Sequence, residues 1–597
     1  MPIPSAEYTR RLDACVKTVA HKQKLHVRAG HAKLIVIAAG LVLAWIAIYP
    51  RLLSLFWLLV PASTYIVLAV FHNHINRART RAERVAAFYR RGLARIEDRW
   101  AGGGETGEPA RTINSIYAED LDLFGPGSLF ELLSTARTPM GESWLARWLL
   151  QRSSLAEIVE RQALVAELRP KLDLREDLAV AGAELRASLD REALVRWATG
   201  KAAGWKPGLR SVFAALAACV VASAVILEAM TIGLPVLITI TVEIILTIGL
   251  WKTAKAALSG ADLNDQGLLL LAGILKRLEK ESVRSPRLQK LAAELKSNGA
   301  SPSRAVEKLA RLANWINARD SLFVRIFDIP LMYTMQVGFA AEAWRRRYGH
   351  YLSSWLDALG ELEALLSLAT YAYEHPEDPF PAMVESKEPL FAGEALGHPL
   401  IPSVGCVRNT VRLAINATQV LIVSGSNMSG KSTLLRVVGV NTVLAMAGAP
   451  VRAKSLSLTP LALGTSIRTT DSLQERRSGF YTEILRLREV FKLTEGRTPV
   501  LFLLDELLAG TNSTDRRAGA EGMLHELMGR GAIGIVTTHD MALTTISPAS
   551  PGTGSIVNAH FQERIDDGRM SFDYRLRDGA VEKGNALELM RMIGLKV

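Results

Sequence analysis

The first half of the chain alternates between charged segments and long apolar stretches, and the apolar stretches come in two pairs. Residues 34–49 and 52–71 are nearly free of charge, and Pro50 and Arg51 join them. Each stretch is close to the length that a helix needs to cross a bilayer, and tryptophan and tyrosine lie near the ends. This pattern predicts a transmembrane helical hairpin over residues 34–71. The alternative is a buried apolar hairpin in a soluble domain.

A second pair covers residues 212–250, with a bend at Gly233 and Pro235. Glu228 lies near the bend and Glu243 lies inside the second stretch, where a carboxylate is costly in a membrane and usually has a partner. We predict a second transmembrane hairpin, with two core helices as the alternative. Glu243 is then a proton or ion site or, more simply, a carboxylate paired inside the helical bundle.

Basic residues flank both pairs. Residues 1–33 are rich in lysine and arginine, arginines recur over residues 77–91, and Arg210, Lys252 and Lys255 border the second pair. Because positive charge marks the cytoplasmic side, we expect a multi-pass protein of the inner (cytoplasmic) membrane with both chain ends in the cytoplasm. The net charge of +12 also suits nucleic acid, so charge alone does not choose between DNA and an anionic membrane surface.

The remaining composition adds two expectations. Hydrophobic residues make up 49% of the chain, which is high for a soluble protein and agrees with the apolar pairs. Cys15, Cys219 and Cys406 lack the spacing of a metal site or a disulfide framework, so we expect reduced thiols.

Residues 420–434, VLIVSGSNMSGKSTL, carry the most specific chemistry. An apolar run of strand type leads into G-x-x-x-x-G-K-[ST], which predicts a phosphate-binding loop between a strand and a helix. Lys431 would reach the β- and γ-phosphate oxygens, and Ser432 would bind Mg²⁺. The predicted cofactors are therefore ATP and Mg²⁺. The predicted nucleotide-binding residues are Gly425, Ser426, Asn427, Met428, Ser429, Gly430, Lys431, Ser432 and Thr433.

A second motif supports the first. Residues 500–506, VLFLLDE, predict a buried parallel strand that ends in Asp505 and Glu506. Asp505 would belong to the Mg²⁺ shell, and Glu506 would orient or deprotonate the attacking water. A further apolar strand over residues 532–537 leads to His539, which would sense the γ-phosphate; the alternative is a surface histidine at a strand end.

The order of these motifs resembles the ATPase domain of the MutS mismatch-repair family. The similarity includes GSNMSGKST, Asp471, the segment SGFYTE at residues 478–483, LLDELLAGTNSTD at residues 503–515, and Thr537-Thr538-His539. Upstream, residues 121–151 are similar to the start of that family's helical core. The resemblance covers most of the chain from about residue 121.

The resemblance implies a homodimer with composite ATP sites and slow hydrolysis. Ser478 would then be offered to the γ-phosphate held by the partner subunit, and Asp515 would lie at the dimer seam. DNA binding is implied as well. The family's mismatch-recognition domain has no counterpart in the first hundred residues, so mismatch recognition is not carried over. Cys406 occupies the place where the family often has a phenylalanine against the adenine, so base stacking must come from elsewhere.

The predicted fold is an α/β P-loop ATPase domain of the ABC class, C-terminal to an all-α core and lever domain. The predicted segments are a basic N-terminus at 1–33, the first hairpin at 34–71, a linker helix at 72–110, the helical domain at 111–370 interrupted by the second hairpin at 212–250, a linker at 371–395, and the ATPase domain at 396–597.

Three functions remain open. The first is a membrane-anchored MutS-like ATPase that acts on DNA. The second is a MutS-derived ATPase without DNA binding that remodels a membrane or protein partner, since the second hairpin falls where the family carries a DNA-gripping clamp. The third, an ABC-type transporter, is disfavoured because no L-S-G-G-Q stretch precedes the acidic strand.

Overall fold

The computed structural model describes residues 3–581 apart from a set of short gaps. The gaps are 50–52, 114, 201–204, 206–207, 231–232, 259–262, 282–284, 286, 288, 290–300, 320, 427, 468–478, 509–510, 549–553 and 567–568, and the side chains of 187, 230, 256, 322–323, 326–327, 329, 479, 513–514, 564–566 and 569–570 are also outside the description.

Up to residue 374 the regular elements of the described residues are helices. The described helices are α1 Pro4–Ile48, α2 Leu59–Ile96, α3 Glu108–Arg111, α4 Leu129–Leu133, α5 Pro139–Leu150, α6 Leu155–Leu168, α7 Leu172–Ser188, α8 Arg191–Thr199, α9 Leu209–Met230, α10 Leu234–Leu258, α11 Asp265–Glu279, α12 Pro302–Ala318, α13 Leu322–Leu331 and α14 Tyr333–Glu374, followed in the C-terminal domain by α15 Lys431–Ala447, α16 Gly479–Leu493 and α17 Ser513–Gly529.

The four apolar stretches are confirmed as helices. Their helical segments Pro4–Ile48, Leu55–Ile96, Leu209–Ala229 and Leu234–Lys255 are long and apolar enough to cross a membrane by length and composition. The basic segment before the first stretch is also helical, so α1 continues without a break from Pro4 to Ile48. Large apolar side chains remain exposed on these helices, including Leu41, Trp45 and Phe56 in the first pair and Leu237 and Ile248 in the second.

The chain divides into two compact units. The first consists of Met1–Ser134, Ala146–Val180 and Leu368–Val597, and the second consists of Thr135–Leu145 and Ala181–Ser367.

In the first unit, a buried aromatic and ionic cluster ties the base of the N-terminal hairpin to the end of α14. The Tyr8 ring stacks on the Tyr373 ring with a centroid distance of 5.6 Å, and Tyr89 meets Tyr8 edge-on at 5.4 Å. The Arg95 guanidinium donates two hydrogen bonds of 2.6 Å to the Glu374 carboxylate, which also accepts the Tyr8 hydroxyl at 3.2 Å. The cluster therefore joins three segments that lie far apart in sequence.

The C-terminal part of the first unit carries two sheets. In order of position, the described strands of the smaller sheet are β1 Ala382–Met383, β5 Ser455–Leu458, β2 Leu390–Leu396 and β3 Asn409–Ala414, and those of the larger sheet are β10 Arg569–Asp578, β9 Ser555–Asp566, β4 Thr418–Ser424, β8 Ile533–Thr538, β7 Val500–Leu504 and β6 Ala462–Ser466. In the larger sheet β9, β4, β8, β7 and β6 run parallel, and β10 pairs antiparallel with β9. This is the predicted P-loop ATPase type of domain, with a mainly parallel sheet.

The second unit is helical. Trp205, Phe213 and Phe339 pack together with Ala254, so that α9, α10 and α14 share one apolar cluster. α13 also contacts both α9 and α10. The second hairpin therefore packs through one side, while other side chains such as Ile245 and Ile248 are exposed.

Candidate functional site

The phosphate-binding loop has the predicted strand–loop–helix setting. Strand β4 is buried along almost its whole length, the loop follows from Gly425, and α15 begins at Lys431. Gly430 has a φ of +104°, a conformation that favours glycine, and a Cβ there would lie 3.0 Å from the Tyr574 ring. The positive end of α15 is thus available to an anion.

Lys431 lies within this loop. Its ammonium group donates hydrogen bonds to the carbonyl oxygens of Gly425 at 2.9 Å and Ser426 at 2.7 Å. Burial lowers the pKa of Lys431, and the nearby carboxylates of Glu506 and Asp505 oppose that shift. The Lys431 ammonium group is therefore held at the loop, where it can also bind a phosphate.

Other loop residues are at the site as well. Ser432 and Thr433 line the cavity beside the loop, as does the exposed Met428. The hydroxyl oxygens of Ser426 and Ser429 are buried and have no hydrogen-bond partner among the described residues. Asn427 lies outside the described residues.

Two neighbouring parallel strands bring the acidic residues to the loop. β7 ends at Leu504, directly before Asp505, and pairs with β8, which ends at Thr538. The Thr537 hydroxyl donates to Asp505 and accepts the Glu506 N–H at 3.1 Å. Burial raises the pKa of Asp505, while hydrogen bonds from Ser432 and Thr537 act in the opposite direction. Ser432 and Asp505 are thus in contact, as a shared Mg²⁺ site requires.

Glu506 and His539 also meet. The His539 Nδ1 atom lies 3.5 Å from Glu506 Oε1. Glu506 has a φ of +48°, and Leu508, two residues later, has a φ of +56°. The Leu508 N–H donates to the buried Glu483 carboxylate at 2.7 Å, which holds this turn in its unusual conformation. Strained backbone of this kind occurs at functional sites, where the surroundings enforce it.

A cavity of about 610 Å³ extends from the loop, a size that suits a small ligand. Its polar lining includes Lys431, Ser432 and Glu506. Its apolar and aromatic lining includes Ile401, Val407, Leu396, Phe561 and Tyr574, and the Tyr574 ring lies beside Gly430 of the loop. The lining therefore offers contacts for both an anionic group and an apolar ring.

Comparison with known proteins agrees with this geometry. Residues 421–596 match the family described as MutS domain V. Residues 421–596 of this chain therefore form a domain of the MutS domain V type. It is 35% identical over 199 residues to Endonuclease MutS2 of Thermus thermophilus, which is 33% of this chain and 25% of that protein. It is 29% identical over 275 residues to DNA mismatch repair protein MutS of Haloquadratum walsbyi, covering 45% of this chain and 28% of that protein.

A third relative, DNA mismatch repair protein MSH3 of Phaeosphaeria nodorum, is 30% identical over 242 residues, which is 40% of this chain and 21% of that protein. The matches thus span less than a third of the length of each of these relatives. The part matched by the family model is the MutS ATPase-type domain.

The resemblance assigns two residues, Ser478 and Asp515, to a dimer. Ser478 and Asp471 lie outside the described residues. Asp515 is exposed in the first turn of α17, where its N–H donates to the Asn512 side chain at 2.8 Å and its carboxylate accepts from the same side chain. An exposed position agrees with a seam between subunits, and the role of both residues stays a prediction.

Tyr574 in β10 lines the cavity and is a candidate for the base stacking that Cys406 does not supply. Its ring is partly exposed, its φ is +53°, and the Asn409 side chain bonds both its carbonyl oxygen at 3.0 Å and the N–H of Leu576 at 2.8 Å. Sequence reasoning missed Tyr574 because an aromatic residue in a terminal β-hairpin reads equally well as a packing residue. Its place at the cavity depends on the pairing of β10 with β9 beside the loop.

We expect Tyr574→Ala to weaken ATP binding while leaving the phosphate contacts in place. Stacking of a base on an aromatic ring contributes about 1–3 kcal/mol, which corresponds to roughly 5–150-fold in affinity. Tyr574→Phe keeps the ring and should bind ATP like the unaltered protein. Fluorescence titration with a labelled ATP analogue measures both. Equal affinity for all three proteins would exclude Tyr574 as the stacking residue.

Proposed function

We propose that this chain is a membrane-anchored MutS-like ATPase that binds and slowly hydrolyses ATP with Mg²⁺ in a composite homodimer site. The convergence of Lys431, Ser432 and Glu506 at one cavity, with Asp505 in contact with Ser432, carries this proposal. These residues come from the start of α15 and from the turn after β7, so their proximity requires the mainly parallel sheet.

Each group has a chemical role. The loop N–H groups and Lys431 bind the phosphates. The Ser432 hydroxyl and the Asp505 carboxylate are oxygen donors of the type that Mg²⁺ takes, and their mutual contact fits one shared ion. When bound, Mg²⁺ neutralises charge on the phosphate oxygens. Glu506 orients and deprotonates the attacking water, and His539, beside Glu506, senses the γ-phosphate.

In the dimer, the bound nucleotide would be coupled to the conformation of the two subunits. If Ser478 completes the site of the partner and Asp515 lies at the seam, ATP occupancy and dimer geometry are thermodynamically coupled. ATP then shifts the population of the attached helices rather than supplying chemistry to a second substrate. The exposure of Asp515 supports this arrangement.

Membrane anchoring is supported by the exposed apolar faces of both hairpins. In α1 and α2, side chains such as Ile35, Leu41 and Val67 are about two-thirds exposed. A soluble domain would bury such a contiguous surface, whereas a bilayer accommodates it. The basic flanks support a position of the ATPase domain on the cytoplasmic side of the inner membrane.

DNA is the first candidate for what the conformational switch acts on. Two of the relatives named above are described as DNA mismatch repair proteins, and the chain has a net charge of +12. The alternative, a membrane or protein partner, is favoured by the second hairpin, which falls where the family's clamp would be expected.

The test uses the full chain in detergent beside Lys431→Ala. Loss of charge-assisted hydrogen bonds to phosphate costs about 1.5–3 kcal/mol, so ATP affinity should fall roughly 10–150-fold, and hydrolysis should fall with it. Lys492→Ala is the matched control, because Lys492 is an exposed lysine of the same domain paired with Glu489. Equal ATP turnover by the unaltered protein and Lys431→Ala would contradict the proposal.

The same proteins separate the two partners. ATP-dependent binding to duplex, mismatched or branched DNA, with a steep loss of affinity as salt rises, would support a DNA-processing role. DNA binding that depends neither on ATP nor on Lys431 would instead favour a membrane or protein partner.

A further inference from the structure

Glu243 is a fully buried carboxylate in the second hairpin. It lies in the middle of α10 with no exposed surface, and neither carboxylate oxygen has a hydrogen-bond partner among the described residues. The pairing inside the bundle that the sequence favoured is therefore wrong for the described residues. The physical reason is that the neighbouring faces of α9 and α10 offer apolar side chains and hydroxyl groups rather than a cation.

Thr247 lies one helical turn after Glu243 on the same face of α10. Its hydroxyl oxygen is also buried and without a partner among the described residues. Other hydroxyls of this hairpin bond to a carbonyl one turn earlier: Thr239 donates to Pro235 at 2.9 Å, Thr241 to Leu237 at 2.7 Å, and Ser223 to Val220 at 2.9 Å. Thr247 thus differs from these neighbours. The two carboxylate oxygens of Glu243 and the hydroxyl oxygen of Thr247 are three oxygen atoms within one helical turn that have no partner among the described residues.

Charged groups on the packed elements do not neutralise Glu243. On α9 the titratable residues Arg210, Cys219 and Glu228 are exposed, and on α10 itself Lys252 and Lys255 are exposed. On α13, Arg325 is exposed, and the Asp328 carboxylate accepts the N–H and hydroxyl of Thr334 at 2.8 and 2.9 Å. None of these forms an ion pair with Glu243 in the described part of the chain.

A buried ionised carboxylate without a partner is too costly to persist, so the group must bind a positive species. We propose that Glu243 and Thr247 form a binding site for a small monovalent cation, H⁺ or Na⁺. Both candidates bind through the same oxygens: the carboxyl group takes up a proton, or the carboxylate and the hydroxyl together coordinate Na⁺. The site rests on the proposed function in one respect only, its location within a membrane.

The test is modification of the full-length protein by dicyclohexylcarbodiimide in membranes, followed by peptide mass mapping. This apolar reagent adds to a protonated carboxyl in an apolar setting, and the acid proton moves to the reagent nitrogen as the new C–O bond forms. We expect modification of Glu243 that is at least about tenfold faster near pH 5 than near pH 9. Added NaCl, compared with choline chloride, should slow it if Na⁺ is the ligand and leave it unchanged if the ligand is a proton.

Two variants and one internal control sharpen the result. Glu243→Gln should lose the label, and Glu228, an exposed carboxylate of the same hairpin, should remain unmodified. Thr247→Val should weaken protection by Na⁺ or change the pH dependence severalfold. If Glu243 stayed unmodified between about pH 5 and about pH 9, the site would be overturned, because the carboxylate would then already be paired with a cationic group.

The membrane location is tested separately. Extraction with alkaline carbonate should leave both the unaltered protein and Glu243→Gln in the membrane pellet. Release of both proteins would contradict membrane anchoring. The cation site would then be judged from the modification of Glu243 alone.

Discussion

Glu506→Gln is expected to abolish ATP turnover while ATP remains bound. Glutamine has the same shape but does not accept the proton of the attacking water, and loss of such a base reduces the rate about 10²–10⁴-fold. The backbone N–H of residue 506 would still donate to Thr537, so the turn with positive φ should persist. Single-turnover hydrolysis of radiolabelled ATP, with filter retention of bound nucleotide, measures both quantities.

Glu495→Gln is the matched control for this experiment. Glu495 is an exposed carboxylate of the same domain, in the segment between α16 and β7, and it does not line the cavity. The Glu495→Gln variant should hydrolyse ATP at the rate of the unaltered protein. If Glu506→Gln also turned over ATP at that rate, Glu506 would not be the catalytic base and the ATPase assignment would fail.

Arg95→Met should loosen the N-terminal hairpin from the end of α14. The Arg95 and Glu374 side chains are buried and joined by two hydrogen bonds of 2.6 Å. Removing one partner of a buried pair leaves an uncompensated charge, which costs about 3–5 kcal/mol. A large drop in the midpoint of thermal unfolding in detergent, with earlier tryptic cleavage near residue 95, is the expected result.

A double variant and a surface pair distinguish this effect from a general loss of charge. Arg95→Met with Glu374→Leu removes both charges and should recover much of the stability, because no buried charge remains. Arg311→Met breaks an exposed pair with Glu307 and should cost only about 0.2–1 kcal/mol. If Arg95→Met were no more damaging than Arg311→Met, the buried cluster would not hold the hairpin.

This cluster matters because buried contacts continue from it toward the phosphate-binding helix. Tyr371, one turn before Glu374, donates to Asp378 at 3.3 Å, and Asp378 pairs with Arg452 at 3.3 Å. The Arg452 N–H donates to the Asn441 side chain in α15 at 2.8 Å. The base of the hairpin and the helix after the phosphate loop therefore belong to one bonded network within the first unit.

Local sequence determined the chemistry of the ATP site. The spacing of Gly425, Gly430, Lys431 and Ser432 acts within a few residues, because a tight loop and a helix N-terminus form from neighbouring backbone groups. The apolar run before Asp505 likewise determines a buried strand and the position of the carboxylates at its end. The four long apolar helices follow from composition and length in the same way.

The pairing of distant segments was decided only by the tertiary structure. Arg95 and Glu374 are 279 residues apart, and no local pattern identifies either as the partner of the other. Tyr574 reaches the cavity because β10 pairs with β9, and Glu243 has no partner among the described residues because of which helix faces pack against it. Periodicity tells which face of an element is apolar, but the identity of the neighbour depends on long-range packing. The sequence by itself thus determined a MutS-type phosphate site and the apolar hairpins, and only the fold decided which side chains complete the site and which remain unpaired.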